Sequence, residues 1–484
     1  MNYKVIGKYI GYILLIESIL MIPALIISLA EGQTKAVIGF VVAILASFLT
    51  AMLLRFLCRN TNKIFYAKEG LVCVGLCWIA LSLFGCIPFW LSGEIPHFVD
   101  ALFETVSGFT TTGASILPEV ETLSKGILYW RSFTHWVGGM GVLVFLLAMA
   151  PEKEQGSGFT MHLLRAESPG PDVGKLVPHI KETAKILYLL YIILTILNIV
   201  FLLLGGMPLF DSVCTAFGTA GTGGFGVKND SIAGYSPYLQ NVCTVFMLLF
   251  GVNFSCYFLL LMRNVKSIFR DEELRLYLGI VVGSILLIAW NIRDMYSSVE
   301  EVFRHAAFQV ASIVTTTGFA TTDFDLWPSF SKAILLCLMV VGACAGSTGG
   351  GLKCGRLLLL IKNLRRNVHQ VLQPNKIQVI RNNGRPVSEQ VIKNLNAYLA
   401  AYSLIILISF VAVSVDGLSV TTNVSAVLAC FNNIGPGLEA VGPTCNYAVY
   451  GLFSKLVLIV DMLAGRLEIF PILVLFTRSG WLQR

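Results

Sequence analysis

Charge is scarce in this chain: Asp, Glu, Lys and Arg make up 13% of its 484 residues, against roughly 25% in soluble globular domains. That shortage excludes a water-soluble globule, and basic loops with no soluble domain to present them exclude a nucleic-acid-binding protein. Enzyme spacings are missing as well. There is no G-x-S-x-G, no H-E-x-x-H and no pair of aspartates at membrane depth, which excludes a serine hydrolase, a zinc protease and an intramembrane protease. The 12 cysteines are scattered through apolar runs, as at Cys73 and Cys337, without the paired spacing of a metal site. They read as small hydrophobes. The N-terminus places basic residues ahead of an apolar run, but the run is too long for a signal peptide and no small-x-small cleavage site follows. It reads as a first membrane helix.

Apolar sequence is abundant instead. Hydrophobic residues reach 56% and the mean hydropathy is +0.75, the profile of an integral membrane protein. Apolar windows recur at Ile10–Leu29, Ala36–Phe56, Leu71–Leu91, Ile186–Leu204, Leu276–Trp290 and Ala397–Val415; a bilayer core requires about 18 such residues per crossing, which predicts about ten crossings. Basic residues cluster in Arg55–Lys68, Arg263–Arg275 and Lys362–Lys393, and the positive-inside rule places these loops and the N-terminus in the cytoplasm. The alternate segments carry Glu94, Asp100, Glu119, Glu121, Asp230, Glu300, Glu301, Asp323 and Asp325. These predict an acid-lined outer mouth.

One segment recurs. DALFETVSGFTTTGAS begins at Asp100 and HAAFQVASIVTTTGFA at His305; weaker copies, DSVCTAFGTAGTGGFG and TNVSAVLACFNNIGPG, begin at Asp211 and Thr422. In each, a glycine lies 13 positions after the first residue: Gly113, Gly224, Gly318 and Gly435. Asp100, Asp211 and Thr422 are N-caps by residue type, while Ser298 and Glu301 have capping-box spacing for an earlier start of the third copy. About ten apolar or small residues after such a cap make a helix too short to span, and the Thr/Gly run that follows returns as non-helical backbone. At membrane depth that backbone survives only when buried in protein or lining a watery cavity. Four such segments around one axis aim carbonyl oxygens at a dehydrated cation, and the negative ends of the half-helix dipoles favour it. The predicted ion-binding residues are Thr111, Thr112 and Gly113; Thr222, Gly223 and Gly224; Thr316, Thr317 and Gly318; and Asn433, Ile434 and Gly435. In the second copy the offset picks Gly224, with Gly223 adjacent.

A second glycine-rich stretch, GACAGSTGGGLK from Gly342, interrupts an apolar run. Unbroken helix there is costly at up to about 1 kcal/mol per glycine, which predicts either a flexible loop below the filter or a closely packed kink. A phosphate-binding loop is excluded, because Leu352 stands where G-x-x-x-x-G-K-[ST] needs lysine. Arg466 lies in the apolar segment Leu452–Phe476, where a charge costs about 2.5 to 3.5 kcal/mol. It needs a wet cavity or a partner, with Asp461 and Glu468 as candidates. His135, beside Trp136, reads as a helix-packing residue rather than a proton relay.

TTTGA, TTTGFATTD, GTGGF, NNIGPGL, RSFTHWVGGMG from Arg131, GACAGSTGGGLK and MLAGRLEIFP from Met462 together resemble the Trk/Ktr/HKT potassium transporter superfamily, and within it the TrkH-type membrane subunit of Trk uptake systems. The resemblance covers essentially the whole chain. It implies an all-α polytopic fold of four pseudo-repeats around one pore, with an extra N-terminal helix pair: residues 1–66 for the pair, then repeats at 67–155, 156–268, 269–375 and 376–484. All-glycine filters imply potassium as the transported ligand, with no cofactor in this chain. Gly346, Ser347, Thr348, Gly349, Gly350, Gly351 and Lys353 are implied to form an intramembrane gating loop, with Arg466 as an electrostatic barrier under the filter. The implied setting is the plasma membrane and its lipid, as a homodimer resting on a cytoplasmic, TrkA-like ring of nucleotide-binding regulatory subunits. A proton- or sodium-coupled symporter is the alternative.

Overall fold

The computed structural model describes residues 2–59, 67–141, 180–376 and 378–481. The repeat boundaries at 66/67 and 155/156, and part of the Arg55–Lys68 cluster, lie wholly or partly outside the described residues.

Four short helices begin on one side of the molecule and end near its centre: Phe98–Phe109, Leu209–Gly221, Val299–Val314 and Val420–Phe431, of 12, 13, 16 and 12 residues. At about 1.5 Å per residue none covers the ~30 Å of a bilayer core. Each half-helix is followed by an inner helix, Lys125–Gly139, Pro237–Phe250, Ser329–Val341 and Leu452–Arg466. Each is preceded by an outer one, Ala67–Gly85, Ile180–Leu204, Glu272–Ile292 and Glu389–Val413.

The half-helices and inner helices alternate in a closed ring. Each half-helix packs on its own inner helix and on that of the repeat before it, and the first half-helix closes the circle against the fourth inner helix. The N-terminal helices, Tyr3–Leu20 continuing into Ile22–Ala30, and Thr34–Leu57, pack outside the first repeat.

The inner helices do not run unbroken across the thickness of a bilayer core. Among the described residues six helices are long and apolar enough to span, or seven if a bent pair counts as one. All four inner helices stop at 13 to 15 residues, where the expected break was in the third alone. The second restarts at Phe254 after an 88° bend. The third gives way to residues 342–353 before Cys354–Leu372. The fourth turns at Glu468 and Ile469, both with positive φ, into Phe470–Phe476.

The cap assignments also need correction. Asp100, Asp211 and Thr422 are not N-caps but third residues of helices capped by His97, Pro208 and Ser419. Two residues ahead of each join the helix, so the acids sit in the first turn, where the helix dipole favours them. Asp100 pairs with Lys455 at 2.6 Å and Asp211 accepts from the Tyr235 hydroxyl at 2.8 Å. The Ser298 cap holds, its hydroxyl accepting from Glu301 N at 3.2 Å.

On the far side of the ring the two remaining basic segments meet. Lys362 bonds the Glu272 carboxylate and donates to Arg381 O at 2.7 Å, while Asn383, in the turn of the Arg381–Asn382/Arg385–Pro386 hairpin, accepts from Glu272 N at 2.9 Å.

Candidate ion filter and gate

The four half-helices end in one backbone motif. Thr111, Thr222, Thr316 and Asn433 take left-handed φ of 55°, 54°, 61° and 57°. Their N–H groups donate to the carbonyl three residues back, and those of Thr112, Gly223, Thr317 and Ile434 donate five residues back, at 2.8 to 2.9 Å. This is the Schellman C-cap, with threonine or asparagine where glycine is usual. Two residues further on, Gly113, Gly224, Gly318 and Gly435 have φ of 78°, 77°, 85° and 96°, a region open to glycine. The matching torsions settle which residue of the second copy is equivalent: Gly224.

These glycines meet around the axis in cyclic order. A Cβ on Gly113 would overlap the carbonyl oxygen of Gly223, one on Gly224 that of Thr317, and one on Gly318 that of Ile434; on Gly435 it would lie 2.8 Å from that of Thr112. Each repeat thus lays the carbonyl before its glycine against the glycine of its neighbour. No side chain fits at any of the four seams.

Above the ring a vestibule of about 160 Å³ is lined by Ser115, Lys228, Asn229, Thr444 and Tyr447 among others. The acid-lined mouth is therefore a correction: no described lining residue is a carboxylate. The outer acids serve the loops instead, Glu121 accepting from Asn229 N at 3.1 Å and Asp325 from Glu439 N at 3.1 Å. The Lys228 ammonium sits 4.2 Å from the Tyr235 ring centroid. Tyr447 donates to the Gly435 carbonyl at 2.7 Å.

Behind the filter lie residues that the sequence reading passed over. Glu104, buried in the first half-helix, accepts from Ile116 N at 3.0 Å and Ser115 Oγ at 3.0 Å and pairs with Arg131 at 2.6 Å. Arg131 donates onward to Gly226 O at 3.0 Å, so one ion pair braces the exits of the first two filters. The available signal was an acid one turn beyond Asp100, inside the apolar part of the half-helix. His135, expected only to pack, hydrogen-bonds through both ring nitrogens.

Directly under the filter runs the glycine-rich loop. Gly350 N donates to Thr316 Oγ1 at 2.6 Å, and a Cβ on Gly350 would lie 2.5 Å from Asn432 O. The Gly346 carbonyl accepts from Phe254 N at 3.0 Å, Ser347 Oγ donates to Cys344 O at 2.6 Å, and Lys353, with φ of 75°, bonds Gly349 O. Gly351 folds against Gly342, and a Cβ on Gly349 would lie 3.0 Å from Thr315 O. Arg466 reaches the same place from the fourth inner helix. It donates to Thr348 O at 2.9 Å, Gly138 O at 2.5 Å and Gly139 O at 2.8 Å. Asp461 accepts from Ser409 at 2.6 Å and Glu468 pairs with Arg356. The guanidinium thus ties the loop to the end of the first inner helix.

A multi-pass helical membrane protein in which four half-helices close a glycine ring over a carbonyl-held arginine has the architecture of a cation transporter rather than an enzyme. Residues 36–481 match the TrkH family model, described as a cation transport protein, and the chain belongs to that family. It is 35% identical to the Trk system potassium uptake protein TrkH of Salmonella typhimurium, covering 99% of this chain and 100% of that one. To TrkG of Escherichia coli K12 it is 31% identical, covering 99% of each. The crystal structure of the potassium transporter TrkH from Vibrio parahaemolyticus superposes with a TM-score of 0.89 over 100% of both chains, at 31% identity.

Proposed function

We propose that this chain is the potassium-selective pore of a Trk uptake system in the plasma membrane. Dehydrated potassium passes the four-repeat filter down the membrane potential, which supplies about 2.3 kcal/mol per charge per 100 mV. The observation that carries this reading is the cyclic seam, each filter glycine against the carbonyl of the next repeat. The names of the relatives, potassium uptake proteins, point to the same ion. Filter residues 111–113, 222–224, 316–318 and 433–435 hold the ion, and the loop 346–353 with Arg466 forms the gate. The half-helices start outside, and the basic face around Lys362 and Arg381 lies in the cytoplasm. That face receives a ring of nucleotide-binding regulatory subunits, and two copies of the chain make a dimer. Rubidium uptake into liposomes holding the protein tests it. Potassium should compete strongly and sodium weakly, with no dependence on a pH or sodium gradient. Equal block by sodium and potassium would overturn the selectivity, and gradient-driven uptake would favour ion coupling.

A further inference from the structure

The second filter departs from the others at two positions, and one side chain accounts for both. In the first and third repeats threonines two apart fold onto each other, Thr110 with Thr112 and Thr315 with Thr317, each pair at 2.8 Å. The equivalent residues of the second repeat are Gly221 and Gly223. A Cβ on Gly221 would overlap the His135 carbonyl, and one on Gly223 would overlap the His135 ring. The first inner helix therefore delivers, from outside the repeat, the bulk that the repeat's own threonines supply elsewhere.

The ring is held in one state. His135 is fully buried. Its Nδ1 lies 2.7 Å from the Gly108 carbonyl, which only accepts, so Nδ1 carries the hydrogen. Its Nε2 lies 3.2 Å from the Phe225 N–H, which only donates, so Nε2 is bare. The ring also packs against Phe225 at a tilt of 35°, centroids 4.2 Å apart. One helical turn earlier Arg131 holds the Gly226 carbonyl and lies over the Phe225 ring, 3.6 Å from its centroid.

We infer that His135 is a positioning residue for ion selectivity: its neutral imidazole, braced between Gly108 and Phe225, replaces the missing side chain at Gly223 and sets the width of the second filter. The inference rests on the reading of the four glycine segments as the filter. It assigns no proton transfer to His135; both nitrogens are occupied by backbone.

The test uses the full chain in liposomes, with rubidium uptake competed by potassium and by sodium. His135→Ala should raise sodium block relative to potassium block about fivefold, the worth of the hydrogen bond from Phe225 N that ties the ring to the second filter. Gly223→Ala should do likewise by pushing the ring aside. The double variant should be no worse than His135→Ala, because the added methyl fills the space the ring left. His135→Gln, whose Oε1 can accept from Phe225 N, should recover selectivity, whereas His135→Asn, too short to reach it, should not. Gly113→Ser in the same assay reports on the filter itself. If it admits sodium while His135→Ala and Gly223→Ala keep the parental ratio, or if those two variants add, the inference is overturned and the filter reading stands. If all three leave the ratio unchanged, both fall. Should His135→Ala fail to elute as folded protein, Gly223→Ala and His135→Gln decide.

Discussion

Replacing Arg466 separates two ways in which one cation can close a pore. Among the described residues its guanidinium donates to three carbonyls, and the bond to Thr348 O, at 2.9 Å, joins it to the loop. The bonds to Gly138 and Gly139 anchor it to an inner helix that does not need to move. A hydrogen bond from a charged donor contributes about 1.5 to 3 kcal/mol, so losing the Thr348 bond shifts the ratio of closed to open loop by about 10- to 150-fold. Arg466→Ala should therefore raise rubidium flux in liposomes lacking any regulatory partner. Two milder variants divide the causes. Arg466→Lys keeps the charge but cannot fork between Thr348 and the helix end; Arg466→Gln keeps a donor and loses the charge. If tethering dominates, both fall between Ala and the parent. If the charge itself is the barrier, Lys stays near the parent and Gln matches Ala. Parental flux in Arg466→Ala, with the protein folded, would refute both.

Other outcomes follow from the same geometry. Gly113→Ser should admit sodium, because its side chain has to displace the Gly223 carbonyl at the seam; unchanged competition by sodium would remove Gly113 from the filter. Gly350→Ala places a methyl 2.5 Å from Asn432 O and 3.1 Å from Asn433 Cβ. It should push the loop off the fourth filter and raise basal flux, measured without a partner; lower or equal flux would show that the loop does not rest there when closed. Gly465→Ala would drive a methyl into the Phe431 carbonyl, where the fourth inner helix touches the end of its half-helix. Overpacking of this kind costs about 1 to 3 kcal/mol, which should appear as a lower melting temperature in detergent, and an unchanged one would count against the close contact.

What could be read from the sequence was whatever the backbone demands. The 13-residue offset located Gly113, Gly224, Gly318 and Gly435 because positive φ and a side-chain-free seam leave no substitute. The loop from Gly342 was legible for the same reason. Side-chain bridges between helices were not. Glu104 and Arg131 are 27 residues apart on different helices, and His135 acts on Phe225, 90 residues away; nothing local marks either pair. Breaks in the second and fourth inner helices escaped notice because each spans three residues, Gly251–Asn253 and Leu467–Ile469. Nor did the sequence show that Glu121 and Asp325 turn away from the vestibule. Their carboxylates are taken up by loop N–H groups, a choice that the count of charges along a chain does not carry.

The divergence of the second and fourth copies has a physical cause in the ring. A filter built from carbonyls constrains torsions, not side chains, so GTGG and NNIG can give the same C-cap and the same seam as TTTG. The side chains are then free to differ, and the left-handed position shows how they are used. A non-glycine residue there costs about 1 to 2 kcal/mol, yet none of the four is glycine. Thr316 Oγ1 accepts from Gly350 N, the contact that seats the loop. Asn433 Nδ2 spans from Thr112 Oγ1 to Met462 O, both at 3.0 Å, joining the fourth filter to the first and to its own inner helix. Thr222 turns its hydroxyl to Gly221 O at 2.6 Å. Thr111 Oγ1 and Asn433 Oδ1 have no hydrogen-bond partner among the described residues, although both are buried. The strain at these four positions is thus the cost of placing side-chain oxygens where glycine would leave none.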